Sequence, residues 1–152
     1  MKKDFLFPIT LFFIFFCSSV ILLLFSANVY ESVVEDSNKN FDTGTSLAYV
    51  TEKIRQNNSN GNIKISNFDG YDALEIKEIY DEKTYITYIY EMDGVLKEIF
   101  LQEGVPANAK AGTTIMNIKD FCMEDKGNGL IEFTATSHDG SVESVIVGTY
   151  SK

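Results

Sequence analysis

Hydrophobic and polar positions change their spacing twice along the chain. Residues 5–25, "FLFPITLFFIFFCSSVILLLF", are apolar on every side and contain no charged side chain. From about residue 28 to 57 the spacing is helical. Tyr30, Val34, Phe41 and Ala48 fall near one line of a ~3.6-residue turn, and Leu47, Val50 and Ile54 form a second stripe rotated by about a quarter turn or more. The change of face falls near Gly44. Glycine in a helix interior costs about 1 kcal/mol, and Ser37, Asn38 and Asn40 are mediocre helix formers. A kink or short break is therefore expected between 37 and 45, with Thr45 or Ser46 capping a restarted helix. The cluster Asn57, Asn58, Ser59, Asn60, Gly61 ends it.

Beyond residue 61 the period drops to two. Apolar residues alternate over 62–66, 73–80 and 84–101. In "TYITYIYEMDGVLKEIFL", Asp93 and Gly94 suit a two-residue type I′ turn, which sets Met92 opposite Val95, Tyr90 opposite Lys97, Tyr88 opposite Ile99 and Ile86 opposite Leu101. One face of that hairpin is almost wholly apolar or aromatic. The other carries Thr87, Glu91 and Glu98 beside Tyr85, Ile89, Leu96 and Phe100. A second hairpin is expected about Asp139 and Gly140, with Phe133 opposite Ile146 and with Ile131 and Ala135 on the same face. Between the hairpins, residues 104–114 read as a loop and 115–123 as a strand. A sheet with an apolar face needs a cover, and the helix at 28–57 is the element available. The fold class expected is α+β: an N-terminal transmembrane helix extending into an amphipathic helix, packed by a mostly antiparallel sheet.

The membrane expectation rests on the first run. At ~1.5 Å per residue, residues 5–25 reach about 31 Å, enough to cross a hydrocarbon core. A cleavable signal would end in small residues. Cutting after Ala27 or Ser26 instead leaves Phe25 or Leu24 three residues from the bond. Lys2 and Lys3 precede the run while Glu31, Glu35 and Asp36 follow it, which places the amino end inside. The expected organisation is a cytoplasmic tail at 1–4, a single-pass span at 5–25 in the cytoplasmic membrane, and an extracytoplasmic domain at 26–152. The lipid bilayer is its first partner.

Charge narrows the partners. The formal charge is −9; with Lys2, Lys3 and Asp4 set aside, the part after the span carries −10. Such a surface repels nucleic acid, so nucleic-acid binding by this chain alone is not expected. Cys17 lies in the apolar run and Cys122 far from it, so an internal disulfide is not expected, and Cys122 reads as a small buried hydrophobe.

No catalytic constellation emerges. His138, the one histidine, precedes a turn without a Ser, Cys or Asp pattern around it and reads as an exposed turn residue. No zinc spacing and no phosphate-binding glycine loop occurs. Asp69 and Asp72 flank Gly70, and Asp120, Glu124 and Asp125 cluster later. Either group offers oxygen ligands for calcium, but neither matches a known loop, and solvated acidic loops are the simpler reading. No cofactor, metal or small-molecule substrate is assigned, and no enzymatic activity is expected.

The order of apolar helix, amphipathic helix and antiparallel sheet resembles type IV pilins and type II secretion pseudopilins. The nearer likeness is to minor pseudopilins and Gram-positive competence minor pilins. It is carried by "SLAYVTEKIRQ" before the sheet and by the hairpin "YIYEMDGVLKE". The chain is also similar to an uncharacterised domain family of Gram-positive anaerobes, through "SLAYV..KIRQ" and through "FDGYDAL" at 68–74. Departures from the pilin pattern are specific: Asp4 stands at the processed Gly, Ile9 at the Glu that pairs with a neighbouring subunit, and Glu98 at the Arg of the hairpin. The resemblance implies a non-enzymatic, membrane-anchored subunit of a type IV pilus, competence or type II secretion-like assembly, with pilin-like subunits or platform proteins as partners. The alternative is a tethered extracellular ligand-binding or sensor domain, in which Tyr85 and Phe100, extended by Tyr71, line the ligand surface.

Overall fold

A computed structural model describes residues 6–59 and 61–149, with residue 6 and residues 24–42 described by backbone alone. The elements are α1 (Leu6–Asn57), β1 (Ile63–Phe68), β2 (Tyr71–Tyr80), β3 (Lys83–Met92), β4 (Val95–Gln102), β5 (Thr113–Asn117), β6 (Asp120–Gly127), β7 (Leu130–Thr136) and β8 (Val142–Gly148), with a short 3-10 turn at Ala109–Ala111. The chain divides into two units, residues 1–38 and 39–152, taken separately below.

In the first unit the helix presents Phe7, Phe12, Phe13, Phe15, Leu22 and Leu23 to its surroundings, each well over half exposed. Ser18 and Ser19 both donate their hydroxyls back to the Phe15 carbonyl, at 2.8 and 3.0 Å, which satisfies them within the helix. Among the described residues no helix is long and apolar enough to cross a membrane. This finding overturns the expected transmembrane helix, the membrane-anchored fold class, and the single-pass orientation and localisation drawn from it. The tail at 1–4, Phe5 and the side chains of Phe25, Ser26, Tyr30, Val34 and Phe41 lie outside the described residues.

The expected break near Gly44 does not occur either. Helical structure continues through residues 37–45 to Asn57, and Ser46 donates to the Thr43 carbonyl at 2.7 Å within the helix rather than capping a new one. The end at Asn57 agrees with the polar cluster that follows, where Gly61 takes a positive φ of 67°.

The second unit holds two sheets where the sequence suggested one, both wholly antiparallel: β1-β2-β3-β4-β5 and β6-β7-β8. The expected strand at 115–123 is cut in two. Ile118 N–H donates to the Gly94 carbonyl of the first sheet, and the next residue, Lys119, donates to Thr136 of the second, both at 2.9 Å. With fully buried Ile118 as the pivot, the chain changes sheets at one peptide.

Leu47, Val50 and Ile54, the second stripe read from the sequence, are buried against Leu74, Ile76, Ile89 and Leu96 of the first sheet and Ile131, Phe133, Ala135 and Val147 of the second. Each such aliphatic side chain contributes on the order of 1.5–3 kcal/mol by burial. The first hairpin has the expected register: Met92↔Val95, Tyr90↔Lys97, Tyr88↔Ile99 and Ile86↔Leu101, around Asp93 and Gly94 at φ 55° and 77°. The helix, however, covers the Ile89 and Leu96 face, not the tyrosine-rich one. On that other side Phe68, Ala73, Tyr90 and Met92 form a separate core with Tyr88, Ile99 and Leu101, closed by the loop at 104–112.

The second hairpin differs from expectation. Ser137 N–H bonds the Ser141 carbonyl at 2.9 Å, so the loop has three residues, His138, Asp139 and Gly140, not two. One added residue moves every partner by one. Phe133 faces Val145, Glu132 faces Ile146, and Ile146 is turned outward at 57% exposure.

Candidate functional site

The residues named from sequence as a ligand surface are only partly brought together. On β3 and β4, Tyr85 lies diagonal to Phe100 on the helix-facing side of the five-stranded sheet, since Tyr85 pairs with Gln102 and Thr87 with Phe100. Their rings stack at 5.2 Å with 10° between planes, and Phe100 stays 57% exposed. Tyr71 is elsewhere. Its ring packs against Tyr90, 6.2 Å away, in the core on the opposite face.

Two residues before Phe100, and on the same face, Glu98 forms a node that the sequence did not reveal. Its carboxylate accepts from the Tyr49 hydroxyl and, at 2.8 Å, from Lys53 Nζ, and Lys53 also lies 5.5 Å from the Tyr49 ring centroid. Burial first, then the Glu98 hydrogen bond, pushes the Tyr49 phenol well above its ordinary range. The one-turn spacing of Tyr49 and Lys53 was the available signal.

Loop 104–112 is fastened over the other face. The Tyr90 hydroxyl donates to the Ala109 carbonyl at 2.6 Å, the Ala109 N–H donates to the Asp69 carboxylate at 2.8 Å, and Lys97 Nζ reaches the Gly112 carbonyl at 3.3 Å. Beside it runs an open cleft of about 430 Å³ lined by Lys64, Glu75, Lys77, Phe68 and Tyr88. Glu75 is nearly buried, and its ion pairs to Lys64 and Lys77 are long, at 3.4 and 3.8 Å.

The acidic groups considered for calcium serve other ends. Asp69 closes the loop, Asp125 accepts the Gly127 N–H at 2.8 Å, and Glu124 pairs with Lys126 at 2.8 Å. Asp72 and Asp120 instead line one open cleft with Glu91 and Cys122. Among the described residues no group of three or more His, Cys, Asp or Glu side chains is placed to hold a metal ion. Cys122 is exposed, contrary to the buried hydrophobe expected. Its thiol donates to Asp120 at 3.3 Å and is raised in pKa by local burial and by that carboxylate. His138 sits exposed in the β7–β8 turn, as expected of a turn residue.

The fold is thus an antiparallel β domain seated on a helix, with aromatic and charged surface features and no converging nucleophile, base and oxyanion donor among the described residues. Residues 41–138 match the family described as Domain of unknown function (DUF4860), and the chain belongs to that family. The match contains both elements behind the likeness to an uncharacterised family, "SLAYV" and "FDGYDAL", and ends in the β7–β8 turn. No curated protein and no solved structure shows a significant match to the chain.

Proposed function

We propose that this chain is a non-enzymatic subunit of a larger assembly, of the pilin-like kind found in type IV pili, competence machines and type II secretion systems. The observation that carries this reading is the bare apolar length of α1: Phe12, Phe15, Leu22 and Leu23 are each about 70% exposed. Side chains of that size, repeated over several turns, need a cover, and helices of neighbouring subunits supply one by packing side by side. The partners are accordingly pilin-like subunits or platform proteins. Affinity isolation of the full-length chain from its native cells, with crosslinking and mass spectrometry, tests this. Crosslinks from residues 7–23 to such subunits are expected, and recovery of the chain alone as a monodisperse species overturns the proposal.

A second reading, a ligand-binding domain, is favoured by the exposed Tyr85 and Phe100 stack. Its test is an array of soluble glycans and peptides probed with the parent chain and with Phe100→Ala. A ligand held by the parent alone supports it, and retention by neither removes it.

A further inference from the structure

We propose that the free edge of β8 is a pairing surface for β8 of a second copy of this chain, joined antiparallel about a two-fold axis through Ser144. The inference is independent of the assembly reading above.

The hydrogen bonds that flank the β7–β8 ladder decide which groups of β8 are free. Ser137 N–H bonds Ser141 O at 2.9 Å, and Thr149 N–H bonds Gly129 O at 2.6 Å, so both are hydrogen-bonded pairs. Counting by twos, residues 143, 145 and 147 turn their N–H and C=O toward β7, while Val142, Ser144, Ile146 and Gly148 turn theirs away. The Asn58 side chain confirms the outward sense by donating to Gly148 O at 3.1 Å.

The four outermost strands of the two sheets are not equally protected. The β5 pairing is irregular at Leu96/Lys97, β6 is bulged at Asp125/Gly127 and carries Asp120, Glu124, Asp125 and Lys126, and β1 carries Lys64. These are the devices that keep sheet edges from pairing. The β8 strand, "VESVIVG", carries a single charge, Glu143, on the face opposite Val142 and Ile146; it has no Lys, Pro or register shift, and holds Val142 and Ile146 outward at 61% and 57% exposure.

The occupant follows from the spacing. Val142 and Ile146 lie equally far on either side of Ser144. An antiparallel copy centred on Ser144 sets Val142 opposite Ile146 of the second copy, and the reverse, so two apolar cross-strand pairs form at once. Shifting by two residues one way would require Gly148 O, which Asn58 holds; shifting the other way sets Ile146 against the turn at Gly140. One strand edge buries far less than the ~800 Å² per partner of a standard interface, so the dimer is weak and depends on concentration.

The test uses the full-length chain in a sedimentation series, with oxidation of Ser144→Cys in a Cys17→Ser, Cys122→Ser background. Ser144→Pro removes an outward N–H and leaves the β7 ladder intact; Ile146→Lys charges the edge. The expected result is a crosslink at Ser144→Cys, none at the exposed control Ile79→Cys, and a dimer Kd raised at least about tenfold by either substitution with circular dichroism unchanged. A chain monomeric at every concentration, a Kd unmoved by both substitutions, or crosslinking at Ile79→Cys as fast as at Ser144→Cys would each overturn it. Should Ser144→Pro misfold, Ile146→Lys alone decides.

Discussion

Tyr49 on α1 and Glu98 on β4, 49 positions apart in the chain, share a hydrogen bond in which the phenol donates and the carboxylate accepts, while Lys53 holds the other carboxylate oxygen. The node joins the helix to the sheet by polar contacts at the border of the apolar core. Lys53 and Glu98 side chains are only 30% and 18% exposed, so solvent screens the pair less than it would a surface pair. Glu98→Ala should therefore cost about 1–2 kcal/mol in urea unfolding, and Lys53→Met under about 1 kcal/mol.

Buried phenols on both faces of the first sheet set an alkaline limit. Tyr49, Tyr88 and Tyr90 all have phenols raised above their ordinary value of 10.0, in each case chiefly by burial. The folded state then holds these protons more tightly than the unfolded state. Their contribution is complete below pH 10 and is lost as pH rises from there toward the folded-state values. An ultraviolet titration should show these three tyrosines ionising only as the protein unfolds, and their ionisation in step with the exposed tyrosines would contradict the burial described.

Gly112 is required for space, not for backbone freedom, since its φ is −65°. A Cβ there would lie 2.1 Å from the Tyr90 hydroxyl. Gly112→Ala should cost about 2–3 kcal/mol, and Tyr90→Phe about 1 kcal/mol through the lost bond to Ala109. In the Tyr90→Phe background the Gly112→Ala cost should shrink, because the clashing oxygen is gone. Strict additivity in thermal unfolding would refute that contact.

Two neighbouring positions in β8 report its register. Val147 is 7% exposed and Ile146 57%. Val147→Ala should lower stability by about 1–2.5 kcal/mol, while Ile146→Thr should change it by less than about 0.5 kcal/mol. A two-residue turn would invert that order.

Gly44 lies inside an unbroken helix, and among the described residues a Cβ there meets Glu143 Oε2 alone, at an ordinary 3.5 Å. Gly44→Ala should accordingly stabilise by about 0.5–1 kcal/mol in chemical denaturation. A loss of stability would mean that the helix does break there.

Legibility in the sequence followed the range of the interactions. The Asp93-Gly94 turn is local: two residues that accept positive φ leave one way to fold back, so all four pairings of that hairpin could be read off. Asp139-Gly140 looked the same, but the turn begins one residue earlier, at His138, and Ile146 exchanges core for solvent. Of the candidate ligand surface, Tyr85 and Phe100 followed from the first hairpin's register, whereas Tyr71 depended on which face of β2 its strand pairing chose.

The sequence by itself determined the helix end at Asn57, the strand periodicity, the first hairpin and the Leu47, Val50, Ile54 stripe, because each depends on residues within a few turns of one another. Only the tertiary structure decided that the chain changes sheets at Ile118, that α1 covers the Ile89 and Leu96 face while loop 104–112 covers the tyrosines, and that Glu98 answers Lys53. Both faces of the first hairpin are apolar, so local pattern could not choose between covers. That choice depended on contacts between residues far apart in the chain, the volumes they fill and the polar groups they satisfy.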